Sequence, residues 1–114
     1  MADIIKFTTD ESIELTKYTT PQIEIPVEVS ASQIDVLYVT IKQGDAVLEK
    51  TSFTTSADTT KQVVYVAFMQ TDLAPFTAGV GATMQIRYKA YDTNAYATDE
   101  AIVTISDTLK TGAI

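Results

Sequence analysis

The side chains of this chain that could do chemistry are carboxylates, tyrosines and one pair of glycines, and their spacing works against catalysis. Asp10-Glu11 and Asp99-Glu100 are adjacent pairs. A glycosidase needs two carboxyl groups facing each other across a cleft. Asp10 and Glu11 fall in a polar connector, and Asp99 and Glu100 are expected on a strand, where neighbours point to opposite faces. Histidine and cysteine are both absent, which removes the commonest general base, a Ser-His-Asp triad and every thiolate. Asp92-Thr93-Asn94 could offer oxygen atoms to calcium, with Asp99 near the same tip, but a calcium loop needs more carboxylates and a terminal glutamate. A turn in which Asp92 and Asn94 bond their own backbone is the simpler expectation. Gly79-Val80-Gly81 neither follows a clear strand nor opens a helix, so it reads as a backbone bend and not as a phosphate cradle. The chain is therefore expected to be no enzyme, with no catalytic residue, no cofactor and no bound metal.

Fifteen acidic residues against eight basic ones give a net charge of −7. A phosphate backbone would be repelled on average, and the lone Arg87 with scattered lysines makes no basic stripe, so no nucleic-acid partner is expected. The acidic surface serves solubility, or a basic partner. No apolar run approaches the roughly 18 residues of a membrane span, and no leader pattern is visible. The expectation is a soluble protein made in the cytoplasm, with no membrane partner.

The elements that must position these groups are strands. Ile23, Ile25, Val27 and Val29 interleave with Gln22, Glu24, Pro26 and Glu28, and Met84, Ile86, Tyr88 and Ala90 interleave with Thr83, Gln85, Arg87 and Lys89. Each stretch builds one core wall and one wetted surface. Pro26, on the polar face, suggests an edge strand or a bulge. Residues 12–18 also alternate, although Thr9 before acidic residues could cap a short helix instead. Residues 34–43 and 62–68 are apolar on both faces and read as central strands. Gly44-Asp45 is a tight hairpin signal, with residues 46–53 returning. Residues 54–61 form a loop. Thr71 could cap one helical turn that Pro75 ends, leaving Leu73 and Phe76 to plug the core. Residues 91–96 are a second hairpin tip, and 97–106 the closing strand.

Short strands at this spacing in 114 residues predict one all-β domain, an immunoglobulin-like antiparallel β-sandwich of about seven strands. Residues 1–18 read as an N-terminal arm or added strand, and 19–114 as the sandwich. Ile25, Val27, Leu37, Val39, Val64, Val66, Met84, Ile86 and Val103 are expected in one shared core, and Gln85 outside it.

Candidate partner-contact residues fall in three places. Tyr91, Asn94 and Tyr96 surround the second hairpin tip, and tyrosine among small polar residues is the composition of binding loops. One or both tyrosines could instead cap the sandwich end. Ile4, Ile5 and Phe7 near one end of the chain, and Leu109 and Ile114 at the other, are apolar on segments too short to bury much by themselves. They are expected to pack on a partner or add a strand to one. Docking within the same domain is the alternative.

Several of these stretches together resemble a known group. They are Thr19-Thr20-Pro21 with the strand after it, Val39-Thr40-Ile41-Lys42-Gln43 with its return Val47-Leu48-Glu49-Lys50-Thr51, and Phe76 with the glycine loop. Met84-Gln85-Ile86-Arg87 and the ending Leu109-Lys110-Thr111-Gly112-Ala113-Ile114 complete the set. The chain from residue 19 to 114 is similar to small immunoglobulin-like structural proteins of tailed bacteriophages and of prophages in gut and Gram-positive bacteria. That resemblance implies a virion component without catalytic residues, made in the host cytoplasm and bound to phage capsid or tail proteins, with self-association as a second option. Decoration, auxiliary and connector-type roles all fit it. Residues 1–18 exceed the usual N-terminus of that group. A virion-displayed host-surface or carbohydrate-binding module using the 91–96 tip is the alternative, and the absence of tryptophan favours structural attachment over it.

Overall fold

The computed structural model describes residues 4–110 and 112–114, and the alternating stretches form strands stacked in two layers. In chain order these are β1 (Ile4–Lys6), β2 (Ile13–Thr16), β3 (Gln22–Pro26), β4 (Ile34–Gln43), β5 (Ala46–Lys50), β6 (Thr54–Thr55), β7 (Val63–Ala67), β8 (Gly81–Ala90), β9 (Ala95–Ala97) and β10 (Ala101–Ser106). A 3-10 turn spans Ala31–Gln33. One sheet has the order β1-β3-β7-β6; the other runs β2-β10-β8-β4-β5, with β9 also paired to β8. The protein is an all-β sandwich, compatible with an immunoglobulin-like one.

The core lies between the two sheets. Ile23, Ile25, Val64 and Val66 come from the first sheet, and Leu15, Leu37, Val39, Ile41, Met84, Ile86, Val103 and Ile105 from the second, all essentially without solvent exposure. All nine positions expected in the core are buried together. Leu73 and Phe76 plug one end of this core. They do so from consecutive turns in which Ala74 N–H donates to Thr71 O and Phe76 N–H to Leu73 O.

Several features depart from the sequence reading or decide between its alternatives. The sheets are mixed, because β1 pairs parallel with β3 and β2 parallel with β10. Alternation is the same in both strand directions, so it carried no sign of this. The chain also crosses from one sheet to the other between Lys6 and Ile13, and residues 4–16 thereby add a strand to an edge of each sheet. Phe7 is buried in the common core and Ile5 packs against it. The expectation that Phe7 reaches a partner is corrected: its ring is already covered by its own domain. Thr54–Thr55, expected in a loop, pairs with β7 as an edge strand.

Bulges keep the core face in phase. On β4, Ile34 faces Ala90 while Val36 faces Lys89, so Asp35 is an extra residue. Without it Ile34 and Leu37 could not both point inward. The closing strand is likewise broken, because the four steps from Ala97 to Ala101 face only three from Arg87 to Met84. Thr98 bridges the gap: its N–H donates to Ile86 O at 2.9 Å, and its Oγ1 accepts from Ile86 N–H at 3.1 Å. The extra residue returns Ala101, Val103 and Ile105 to the interior. Asp99 and Glu100 consequently sit in a bulge, both exposed, and not on a regular strand as expected.

Pro26 costs the ladder nothing. Val27 N–H donates to Gln62 O on the β7 side, and Phe7 N–H reaches Glu24 O on the opposite side, so the Pro26 nitrogen faces that second side just beyond the end of β1.

Truncating Ile86 to Ala should cost about 2–5 kcal/mol, the range for removing a wholly buried aliphatic side chain. Gln85 Nε2 donates to Thr98 O at 2.9 Å, so Gln85→Ala should cost about 1 kcal/mol, one hydrogen bond. Urea denaturation of both variants checks the inward and outward assignment. Phe7→Ala should lower stability by about 3 kcal/mol, the lower end for a buried aromatic; a melt indistinguishable from wild type would show that the segment does not contribute to the core.

Candidate functional site

The second hairpin tip is built by β8 and β9. Ala90 N–H donates to Asn94 O and Thr93 N–H to Ala90 O. Thr93 takes a φ of 73°, an uncommon conformation for a β-branched residue. Asp92 stabilises it, since Oδ1 accepts Asn94 N–H at 3.0 Å and Oδ2 accepts Asn94 Nδ2 at 3.2 Å. The carboxylate is thus engaged in the turn, as the sequence suggests. Among the described residues there is no group of three or more acidic side chains placed to hold a metal ion.

Of the tip residues, Tyr91 and Asn94 are open to solvent and Tyr96 is half-buried. The Tyr96 ring stacks on Tyr88 with centroids 5.0 Å apart and planes at 19°, and it packs on the core. Tyr96 therefore caps the sandwich, while Tyr91 projects outward. Tyr88 is fixed in turn by its hydroxyl oxygen, which accepts Glu28 N–H at 2.9 Å.

Ile4, Leu109 and Ile114 lie far from this tip in the register. Ile4 stands opposite Gln22 at the start of β3, and Phe68 N–H bonds Pro21 O beside it. Two residues on, Gln70 holds the tail: Nε2 donates to Ile114 O at 3.2 Å and Oε1 accepts Ile114 N–H at 2.7 Å. These bonds gather Ile4, Met69 and Ile114 toward one end of the sandwich, and Leu109 follows three residues after the end of β10; each exposes more than half its surface, Leu109 completely. The supporting loop is braced from three sides. Lys50 Nζ bonds Asp72 Oδ2 at 2.7 Å, and the same oxygen accepts Met69 N–H. Lys17 Nζ donates to Phe76 O. Gln43 Nε2 donates to both Thr77 O and Val80 O, and its Oε1 accepts Thr77 N–H. Met69 was not singled out from the sequence, because nothing in its neighbours marks an outward apolar residue.

A third feature was also missed. On the outer face of the six-stranded sheet, Thr40, Lys42, Thr83, Gln85, Arg87 and Glu100 line a shallow groove of about 160 Å3. The β4–β8 register places Thr40 opposite Gln85, Lys42 opposite Thr83 and Tyr38 opposite Arg87.

No family model matches the chain, and no curated protein matches it. Among solved structures it is similar to the Bacteroides ovatus mixed-linkage glucan utilization locus SGBP-B, solved in complex with a mixed-linkage heptasaccharide. The match covers 97% of this chain and 25% of that one, at 16% identity and a TM-score of 0.38. The chain spans about a quarter of the length of that structure.

Burial pushes the Tyr88 phenol above its ordinary value of 10.0, against the opposing pull of the Glu28 hydrogen bond. A raised folded-state value means that this contribution to stability is complete below the unfolded value. It is lost as pH climbs through the folded one, because the unfolded chain ionises first. Tyr88→Phe should therefore cost about 1 kcal/mol at neutral pH, where the bond to Glu28 is lost. Above pH 10.0 the variant should lose stability less steeply than wild type, as read by urea denaturation at a series of alkaline pH values.

Proposed function

We propose that the protein is a non-enzymatic structural component of a phage virion, of decoration, auxiliary or connector type, attached to capsid or tail through the apolar end of its sandwich. The observation that carries this reading is the exposure of Ile4 on β1, Met69, Leu109 and Ile114 toward one end, with the backbone of Ile114 held by the Gln70 amide. Exposed side chains of this size are a source of binding energy once a partner excludes water from them. Pre-ordering the tail removes part of the entropy that attachment would otherwise cost. The resemblance to virion proteins supports the same reading. A displayed module binding through the 91–96 tip has less support, since the Tyr96 ring is already engaged with Tyr88.

The double variant Leu109→Ser, Ile114→Ser is expected to melt like wild type, because neither side chain is buried. Its affinity for the particle should fall about a hundredfold, the loss expected for two buried aliphatic side chains. Co-sedimentation of each protein with purified capsids and tails measures this. Wild-type binding by the double variant would move the attachment site elsewhere, and no sedimentation of the wild-type protein with either structure would overturn the virion role.

A further inference from the structure

The groove on the outer sheet face is separate from the apolar end, and its chemistry is specific. We propose that it binds an acidic saccharide, a sugar that carries a carboxylate. The whole chain has a net charge of −7 with only eight basic residues, yet Lys42 and Arg87 line this one groove. Among the described residues neither forms an ion pair; Lys89, two residues from Arg87, is by contrast already paired with Asp35 at 3.0 Å. Two uncommitted cations against the single lining carboxylate of Glu100 give the groove lining itself a positive balance, with Glu49, exposed opposite Thr40 on β5, at its margin. That balance is complementary to one carboxylate, and the planar guanidinium of Arg87 presents the paired donors that a carboxylate takes bidentately.

The other lining groups suit sugar hydroxyls. Thr40 and Thr83 bring hydroxyls that can donate or accept, and Glu100 brings an acceptor. Gln85 is oriented by the bond from Nε2 to Thr98 O, which leaves its Oε1 as a further acceptor. Tyr38, directly across the register from Arg87 and 40% exposed, presents a ring at the edge of the groove for the apolar face of a sugar. Recognition here rests on charge and hydroxyl pairing, so it does not require tryptophan. The bulge at residues 98–100 is part of the device, because it returns β10 to the core while leaving Glu100 beside the strands that carry Arg87 and Lys42. A polyanion is disfavoured by Glu100 within the groove and by the acidic surface around it.

The test is a titration followed by backbone amide NMR, with three probes: an α-1,4-linked galactose trimer whose non-reducing end alone is galacturonic acid, so that it carries one carboxylate, the matching neutral galactose trimer, and sodium sulfate. The acidic trimer should shift amides at Thr40, Lys42, Thr83, Gln85 and Arg87. The neutral trimer should bind at least about tenfold more weakly, the value of a charge-assisted hydrogen bond, and sulfate should not reproduce the pattern. Arg87→Gln, shown by its melt to be folded, should weaken the acidic trimer by about tenfold or more. Arg87→Lys should fall between, and Lys110→Gln, on the tail, should bind as wild type. Equal binding of the neutral trimer, the same shifts with sulfate, no groove shifts at about 10 mM trimer, or undiminished binding by Arg87→Gln would each overturn the proposal. None of these outcomes bears on the co-sedimentation result, which depends on the apolar end and not on this sheet face.

Discussion

Everything in this molecule depends on one dry interface, the contact between the inner faces of its two sheets. Histidine, cysteine and tryptophan are all absent, so neither a metal-imidazole site, a disulfide nor an indole anchor contributes to stability. Aliphatic side chains carry that task, with Ile23, Ile25, Val64 and Val66 on one wall meeting Leu37, Val39, Ile41, Met84 and Ile86 on the other. Burying each such side chain contributes roughly 1.5–3 kcal/mol, a substantial part of the marginal net stability of a domain this size. No charged side chain is buried among the described ones, so the interface desolvates no charge, and the buried phenol of Tyr88 has its hydroxyl bonded to Glu28 N–H.

The interface also dictates the irregularities. A strand must keep its apolar side chains in phase with the facing sheet, and a slip of one residue would turn all of them outward. The bulges at Asp35 and at residues 98–100 are where the sequence would otherwise fall out of phase. Each of them sets acidic side chains on the surface: Asp35 pairs with Lys89, and Glu100 lines the polar groove. The demands of the core thus shape the outer face, and the surface chemistry is partly a by-product of packing.

Polar side chains act where the ladder ends. Gln43 and Gln70 each use both ends of one amide to hold a loop or tail, in effect supplying a ladder rung where no strand is present. Asp72 receives both Lys50 and the Met69 N–H. A loop fixed in this way presents its exposed apolar residues without the ordering cost that a mobile loop would bring to binding.

The alternation of residues 22–29 and 82–90 was enough to identify two strands and their inward faces, with Ile25, Val27, Met84 and Ile86 among the expected core positions that are buried, because a period of two leaves one face to bury. Ile34–Gln43 could be bounded to the residue, since Gly44 takes the positive φ of 58° that its hairpin turn requires. The turn role of Asp92 was legible for a local reason too, as its partners lie within two residues. Strand direction was not, because parallel and antiparallel strands alternate alike, so residues 1–18 read as an arm or added strand with no sign that β1 and β2 join the edges of two different sheets. Nor could the sequence say that Phe7 and Tyr96 are covered from within, since the atoms that cover them come from distant segments. The groove was invisible for the same reason: Lys42, Arg87 and Glu100 stand far apart along the chain, and become neighbours only when β4 pairs with β8 and a bulge brings Glu100 alongside. Sequence determined which face of each strand avoids water; tertiary structure alone decided which strands meet, and with them every surface on which this protein could act.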